Sequence, residues 1–189
     1  MLILMNKQTL TAQREYFKMV NGVTLKLISS FTDADLDFRP KVGMRTVRDL
    51  IAHMFGFEKA LAEGARAGKL SQEAENKAIP ESEAGKAAAA QLTSIAQCTE
   101  FAKDAHKRAD DVAAGLTDEE LAKPVEAPFG TFSVAQMLGF AYDEHRHHRG
   151  QLYIYARLLG RNPPMLYARM ETSAVSQIQR SIVAISRAA

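Results

Sequence analysis

Residues 133–160 read SVAQMLGFAYDEHRHHRGQLYIYARLLG, and this stretch decides the fold. Ser133 followed three residues later by Gln136 is a capping box, in which each side chain accepts from a backbone N–H the helix start leaves unpaired. Val134, Leu138, Ala141, Leu152, Tyr155 and Leu159 then recur at three- and four-residue steps or sums of such steps, the period of one buried helical face. Gly160, Pro163 and Pro164 are stop signals. At about 100° per residue, His148 falls near the centre of the apolar face. His145 lies towards one side of it, Glu144 towards the other, and His147 points outward.

Working back along the chain, residues 8–31 carry Tyr16, Val20, Val23, Leu27 and Phe31 on one helical face. A short capped turn follows at Thr32–Asp35, and Pro40 and Gly43 stop it. Thr46 and Asp49 cap a second helix, with Val47, Leu50, Ile51, Met54, Phe57 and Leu61 as its stripe and an end near Gly64 to Gly68. Residues 69–82 are polar, contain Pro80 and are long enough to cross a bundle. A third long helix is predicted from Glu83 to Ala114, with a stripe dominated by alanine and Gly115 as its cap. Thr117 and Glu120 cap one further turn, and Pro124, Pro128 and Gly130 read as loop. Residues 168–189, with Val175, Ile178, Ile182 and Ile185 at helical spacing, read as a C-terminal helical extension. No strand pattern stands out. The expected fold is all-α: one four-helix bundle over about residues 8–167, with a long crossover between helices 2 and 3 and an extra C-terminal helix.

The totals narrow the function. The formal charge is +2, from 24 basic and 22 acidic side chains spread along 189 residues, so there is no basic patch for nucleic acid or a membrane surface. One cysteine, Cys98, excludes an internal disulfide and a Cys-rich zinc site and points to a reducing, cytoplasmic setting. No run approaches the roughly 18 apolar residues of a membrane span.

The histidines carry the chemistry. Glu144 and His148 stand four apart on one helix, which puts two donors on one face. His53, on the flank of the second helix's stripe near Leu50 and Phe57, supplies a third from another helix. Three protein ligands with one open position describe a catalytic rather than a structural metal. His145 is the alternate third ligand. His106 phases inward on its own helix with no spaced partner, and Glu144-x-x-His147 is a lone pair where a di-iron bundle needs two such pairs. No residue is assigned as catalytic acid, base or nucleophile. Gly150, mid-helix, predicts close approach of another helix. Arg149 and Gln151 are candidates to brace ligands, and Tyr142, Tyr153 and Tyr155 to line a pocket or fill the core.

Two segments resemble the DinB-like family of bacterial four-helix-bundle proteins. Arg45-Thr46-Val47-Arg48-Asp49-Leu50-Ile51-Ala52-His53-Met54 is similar to that family's second-helix start with its metal histidine. His147-His148-Arg149-Gly150-Gln151-Leu152, with Tyr155 to Gly160 and Pro163-Pro164, is similar to its last bundle helix. The resemblance implies a homodimer and a divalent metal, zinc or nickel, held by His53 and His148. The family's usual third ligand is a histidine four residues before the one at 148, and here Glu144 stands there. A carboxylate ligates zinc, so Glu144 keeps the register. His145 takes the place only with a small helix rotation, and a site without metal is the remaining reading. Among relatives the resemblance implies thiol S-transferases, so the expected activity joins a low-molecular-weight thiol to an electrophilic small molecule. A metal-dependent hydrolase and a non-catalytic, stress-related binding bundle are the alternatives.

Overall fold

A computed structural model describes residues 6–167. The C-terminal extension expected at 168–189 lies outside the described residues. Four long helices build the bundle: α1 (Lys7–Ile28), α2 (Val47–Ala67), α5 (Ile95–Gly115) and α7 (Val134–Leu158). Between α2 and α5 the chain crosses the bundle through two short helices, α3 (Gln72–Ala78) and α4 (Glu83–Ala90). After α5 come one turn, α6 (Asp118–Leu121), and two strands, β1 (Pro124–Ala127) and β2 (Gly130–Ser133).

The two helices that matter most for function start where the capping boxes predict. Asp49 N–H donates to Thr46 Oγ1 and Thr46 N–H to the Asp49 carboxylate, each at 3.0 Å. Ser133 and Gln136 make the same exchange at the head of α7, at 2.8 and 3.2 Å. A cap of this kind is worth about 1 kcal/mol. It also fixes the rotational starting point of each helix, and so the direction of every side chain after it. α2 ends at Gly68, whose φ of +74° is a left-handed conformation that glycine adopts without steric cost.

Helix α2 is the centre of the bundle and packs most extensively on α7 and α5. The core falls into two large apolar clusters. One gathers Leu27, Leu50, Ile51, Phe55, Leu152 and Tyr155. The other gathers Leu61, Leu70, Leu121, Val125, Val134 and Met137. Each fully buried aliphatic or aromatic side chain contributes about 1.5–3 kcal/mol against leaving it in water.

Three expectations need correction. The helix expected from Glu83 to Ala114 is two helices with a break at residues 91–94. Ser94 caps α5 by accepting from Gln97 N–H at 3.2 Å, and Gln97 Oε1 accepts from Thr93 N–H at 2.7 Å. These local bonds satisfy the backbone better at that point than continued helix would. The polar loop at 69–82 contains α3, capped by Ser71. The segment read as pure loop holds an antiparallel hairpin in which Val125 pairs with Phe132. Its four-residue strands are too short to alternate visibly. The hairpin ties down the start of the crossover, because Leu70 N–H donates to Glu126 O at 2.7 Å and Glu126 N–H to Gly68 O at 3.1 Å. Among the described residues, no helix is long and apolar enough to cross a membrane.

Candidate metal centre

Seven residues into α2, His53 sits beside the apolar stripe and is 7% exposed. Its Nδ1–H donates to the Ala78 carbonyl at the end of α3, at 2.6 Å. A carbonyl only accepts, so Nδ1 carries the proton and Nε2 presents a lone pair. On α7, His148 is 5% exposed. Its Nδ1 is 2.8 Å from Gln151 Oε1, and the same Gln151 turns its amide nitrogen to His147 Nε2 at 3.2 Å. With Gln151 Oε1 as acceptor, His148 also presents a bare Nε2.

Both lone pairs aim at one carboxylate. Glu144 Oε2 lies 3.3 Å from His53 Nε2 and 3.0 Å from His148 Nε2. The two rings meet edge to face with centroids 4.6 Å apart, and Phe57 stacks on His53 at 5.4 Å. One donor atom from each of His53, Glu144 and His148 lies within 4.8 Å of the other two. Helix phase explains the meeting: α2 and α7 pack along their lengths, and Glu144 and His148 are one turn apart. Burial pushes the pKa of both His53 and His148 below the usual imidazole value. Nearby Arg45 acts in the same direction, so both rings stay neutral at neutral pH. Glu144 is the solvent-facing member, its side chain 36% exposed.

His145 does not join this cluster. It is 0% exposed, and its Nε2 lies 2.9 Å from Thr24 Oγ1 on α1. Its Nδ1 faces Glu58 Oε2 at 3.4 Å. Glu58, itself 0% exposed, also lies 2.6 Å from His106 Nδ1, so His106 does have a partner. Burial opposes the Glu58 charge, but the short bond from His106 outweighs it and holds the carboxyl below its usual range. Glu58 was missed in the sequence because stripes are traced through apolar residues. The signal was its place between Met54 and Leu61, in the middle of that face.

The remaining candidates divide. Gln151 braces His148 as expected. Arg149 is 8% exposed and its Nη1 has no hydrogen-bond partner among the described residues. Tyr153 Oη donates to Pro164 O and Tyr155 Oη to Arg45 O, while Tyr142 packs edge-on to Phe17. A Cβ at Gly150 would meet nothing within 4 Å among the described residues, so none of the described helices makes the expected close approach there. Cys98 is 0% exposed, and burial pushes its thiol up to about 11. It is no nucleophile at neutral pH.

The sequence profile of the DinB family matches residues 5–181. The chain belongs to the DinB family. Solved DinB-like structures share its fold at low sequence identity. A DinB-like protein from Bacillus subtilis (YjoA) superposes with a TM-score of 0.64 at 18% identity, over 83% of this chain and 98% of that one. Another, from Bacillus cereus, gives 0.62 at 19% identity, over 80% and 93%. No curated protein matches this DinB-family chain.

Proposed function

We propose that this protein is a divalent-metal-dependent enzyme whose metal, zinc or nickel, is held by His53, Glu144 and His148. The observation that carries the proposal is the convergence of two imidazole lone pairs and a carboxylate oxygen. Three acceptors facing one another repel unless a cation lies between them. The donor set is chemically apt, since neutral imidazole and carboxylate are both zinc ligands. Ala78 O and Gln151 Oε1 supply the outer hydrogen bonds that orient such histidines and raise their basicity. His145 is the weaker candidate, because its two ring nitrogens face Thr24 and Glu58.

The activity we favour joins a low-molecular-weight thiol to an electrophilic small molecule. A bound divalent ion would supply Lewis acidity and stabilise a thiolate at neutral pH. The chain's own part is to bind and exclude water. His53 and His148 stay neutral because they are buried, Phe57 walls one side, and Glu144 leaves the solvent side open. The only thiol in the chain is sealed in the core, so the reacting thiol must come as substrate. A hydrolase would use the same open side for water, and a homodimer is part of the same family-based reading.

The test is metal content, measured by mass spectrometry on protein purified without a histidine tag. About one equivalent of zinc or nickel is expected, lost in His148→Ala and kept in His147→Ala. Protein that carries no metal and binds none on titration would sink the enzyme reading and leave the non-catalytic bundle. In the loaded protein, loss of free thiol in the presence of electrophiles separates transferase from hydrolase.

A further inference from the structure

We propose that Glu58, with His106, His145 and Thr24, forms a positioning layer that fixes the rotation of α7 and thereby brings Glu144 and His148 onto His53. This rests on the metal reading above. Each of the four long helices contributes one member: Thr24 from α1, Glu58 from α2, His106 from α5 and His145 from α7. None is more than 9% exposed. The layer also lies where the core divides, because Phe55 and Leu152 belong to one apolar cluster and Leu61 and Met137 to the other. A bundle that needed only stability would fill this level with apolar side chains, since buried charge is weak evidence for stability. Its attested use is to specify register.

The link to the metal centre is the chain itself. His145 follows Glu144 directly and precedes His148 by less than one turn. Its ring is enclosed on every side and anchored at Nε2. Thr24 meets Nε2, Glu58 faces Nδ1, and Phe17 and Phe55 press edge to face at 4.9 and 5.3 Å. A side-chain atom about 6 Å from a helix axis moves roughly 2 Å when the helix turns by about 20°. Metal sites tolerate only about 0.2 Å in their ligand distances. Holding the ring of His145 therefore holds the two ligands on either side of it.

One bond in the layer is unmade, and it gives the test its sign. Thr24 Oγ1–H donates to Val20 O at 3.0 Å, so it must accept from His145 Nε2–H. Nδ1 of His145 is then a bare acceptor facing a carboxylate oxygen, and among the described residues neither atom has a hydrogen-bond partner. An amide at position 58 would accept from His106 and donate to His145. Glu58→Gln should preserve the layer, and Glu58→Leu should remove it.

Zinc affinity of the full chain, measured calorimetrically at a temperature where every variant is folded, reads the effect. Leu61→Ala, a core truncation outside the layer, controls for stability alone. The expectation is a loss of about tenfold or more for Glu58→Leu, within the range typical of groups that orient ligands. Glu58→Gln and Leu61→Ala should stay within about threefold of the parent protein. An unchanged Glu58→Leu, or equal losses in Glu58→Leu and Leu61→Ala, would overturn the proposal. If Glu58→Leu does not fold, Thr24→Val, which leaves His145 Nε2–H without its acceptor, carries the same thresholds. If the parent protein binds neither zinc nor nickel, the metal reading fails on its own. Crystal structures of the parent and the folded variant then decide the layer: a His53–His148 ring separation kept near 4.6 Å overturns it, and opening by more than about 1 Å supports it.

Discussion

Acidification should unfold the metal-free protein earlier than its carboxylates alone would allow. His53, His145 and His148 are buried, and burial lowers the pKa of each. In the unfolded chain the same imidazoles titrate near about 6.5. A group whose pKa is lower in the fold binds fewer protons there, so its stabilising effect is complete above the unfolded value and is lost as pH falls below it. Between pH 7.5 and 5.5 an unfolded imidazole takes up about 0.8 proton, and one that stays neutral in the fold costs about 1.4 kcal/mol over that interval. With three such rings the ceiling is about 4 kcal/mol, a large share of the roughly 5–15 kcal/mol that keeps a domain folded. Carboxylates that the fold holds below their usual range, Asp35, Glu58 and Asp110 among them, have the same sign but act near about pH 4. The assay is urea unfolding followed by circular dichroism, in chelator, at both pH values. Stability at pH 5.5 equal to or above that at pH 7.5 would refute the claim that these rings are held neutral. Excess zinc should steepen the dependence, because ligation also requires the neutral ring.

Two glycines give opposite predictions. Gly150→Ala adds a methyl group where none of the described residues lies within 4 Å, in the interior of a helix. It should raise the unfolding free energy by about 0.5–1 kcal/mol in the same urea assay. At Gly85 a Cβ would stand 1.9 Å from the Ile79 carbonyl oxygen, and backbone cannot swing aside. Gly85→Ala should lower stability by about 1–3 kcal/mol, the usual cost of overpacking, and a loss below about 0.5 kcal/mol would contradict the geometry.

How much of this was legible in the sequence depended on how local the cause is. Thr46 with Asp49 and Ser133 with Gln136 act within one turn, so both functional helices could be started correctly. The inward phase of Glu144 and His148 followed from the starts. The break before α5 is equally local, through Thr93, Ser94 and Gln97, but the alanine-rich run before it continues the helical period and hides it. What sequence could not supply is which inward histidine meets which partner. His145 and His148 both phase inward, and only the offset of α1 and α2 sends one to Thr24 and Glu58 and the other to His53. His106 looked solitary because its partner, Glu58, comes from another helix 48 residues away.

The Ala78 carbonyl has a further consequence. It fixes the proton of His53, and with it the basicity of that ring, through a main-chain atom that no side-chain substitution removes. Ala78 is the last residue of α3, and Ile79 follows it with its oxygen seated against Gly85. The electron-donating strength of an imidazole on α2 is therefore governed from the crossover by a residue with no side chain at all. Gly85 is not among the candidate ligands, yet its missing methyl group lets the crossover come close enough for Ala78 to reach His53. In this bundle a small empty space helps to determine how strongly a nitrogen can donate.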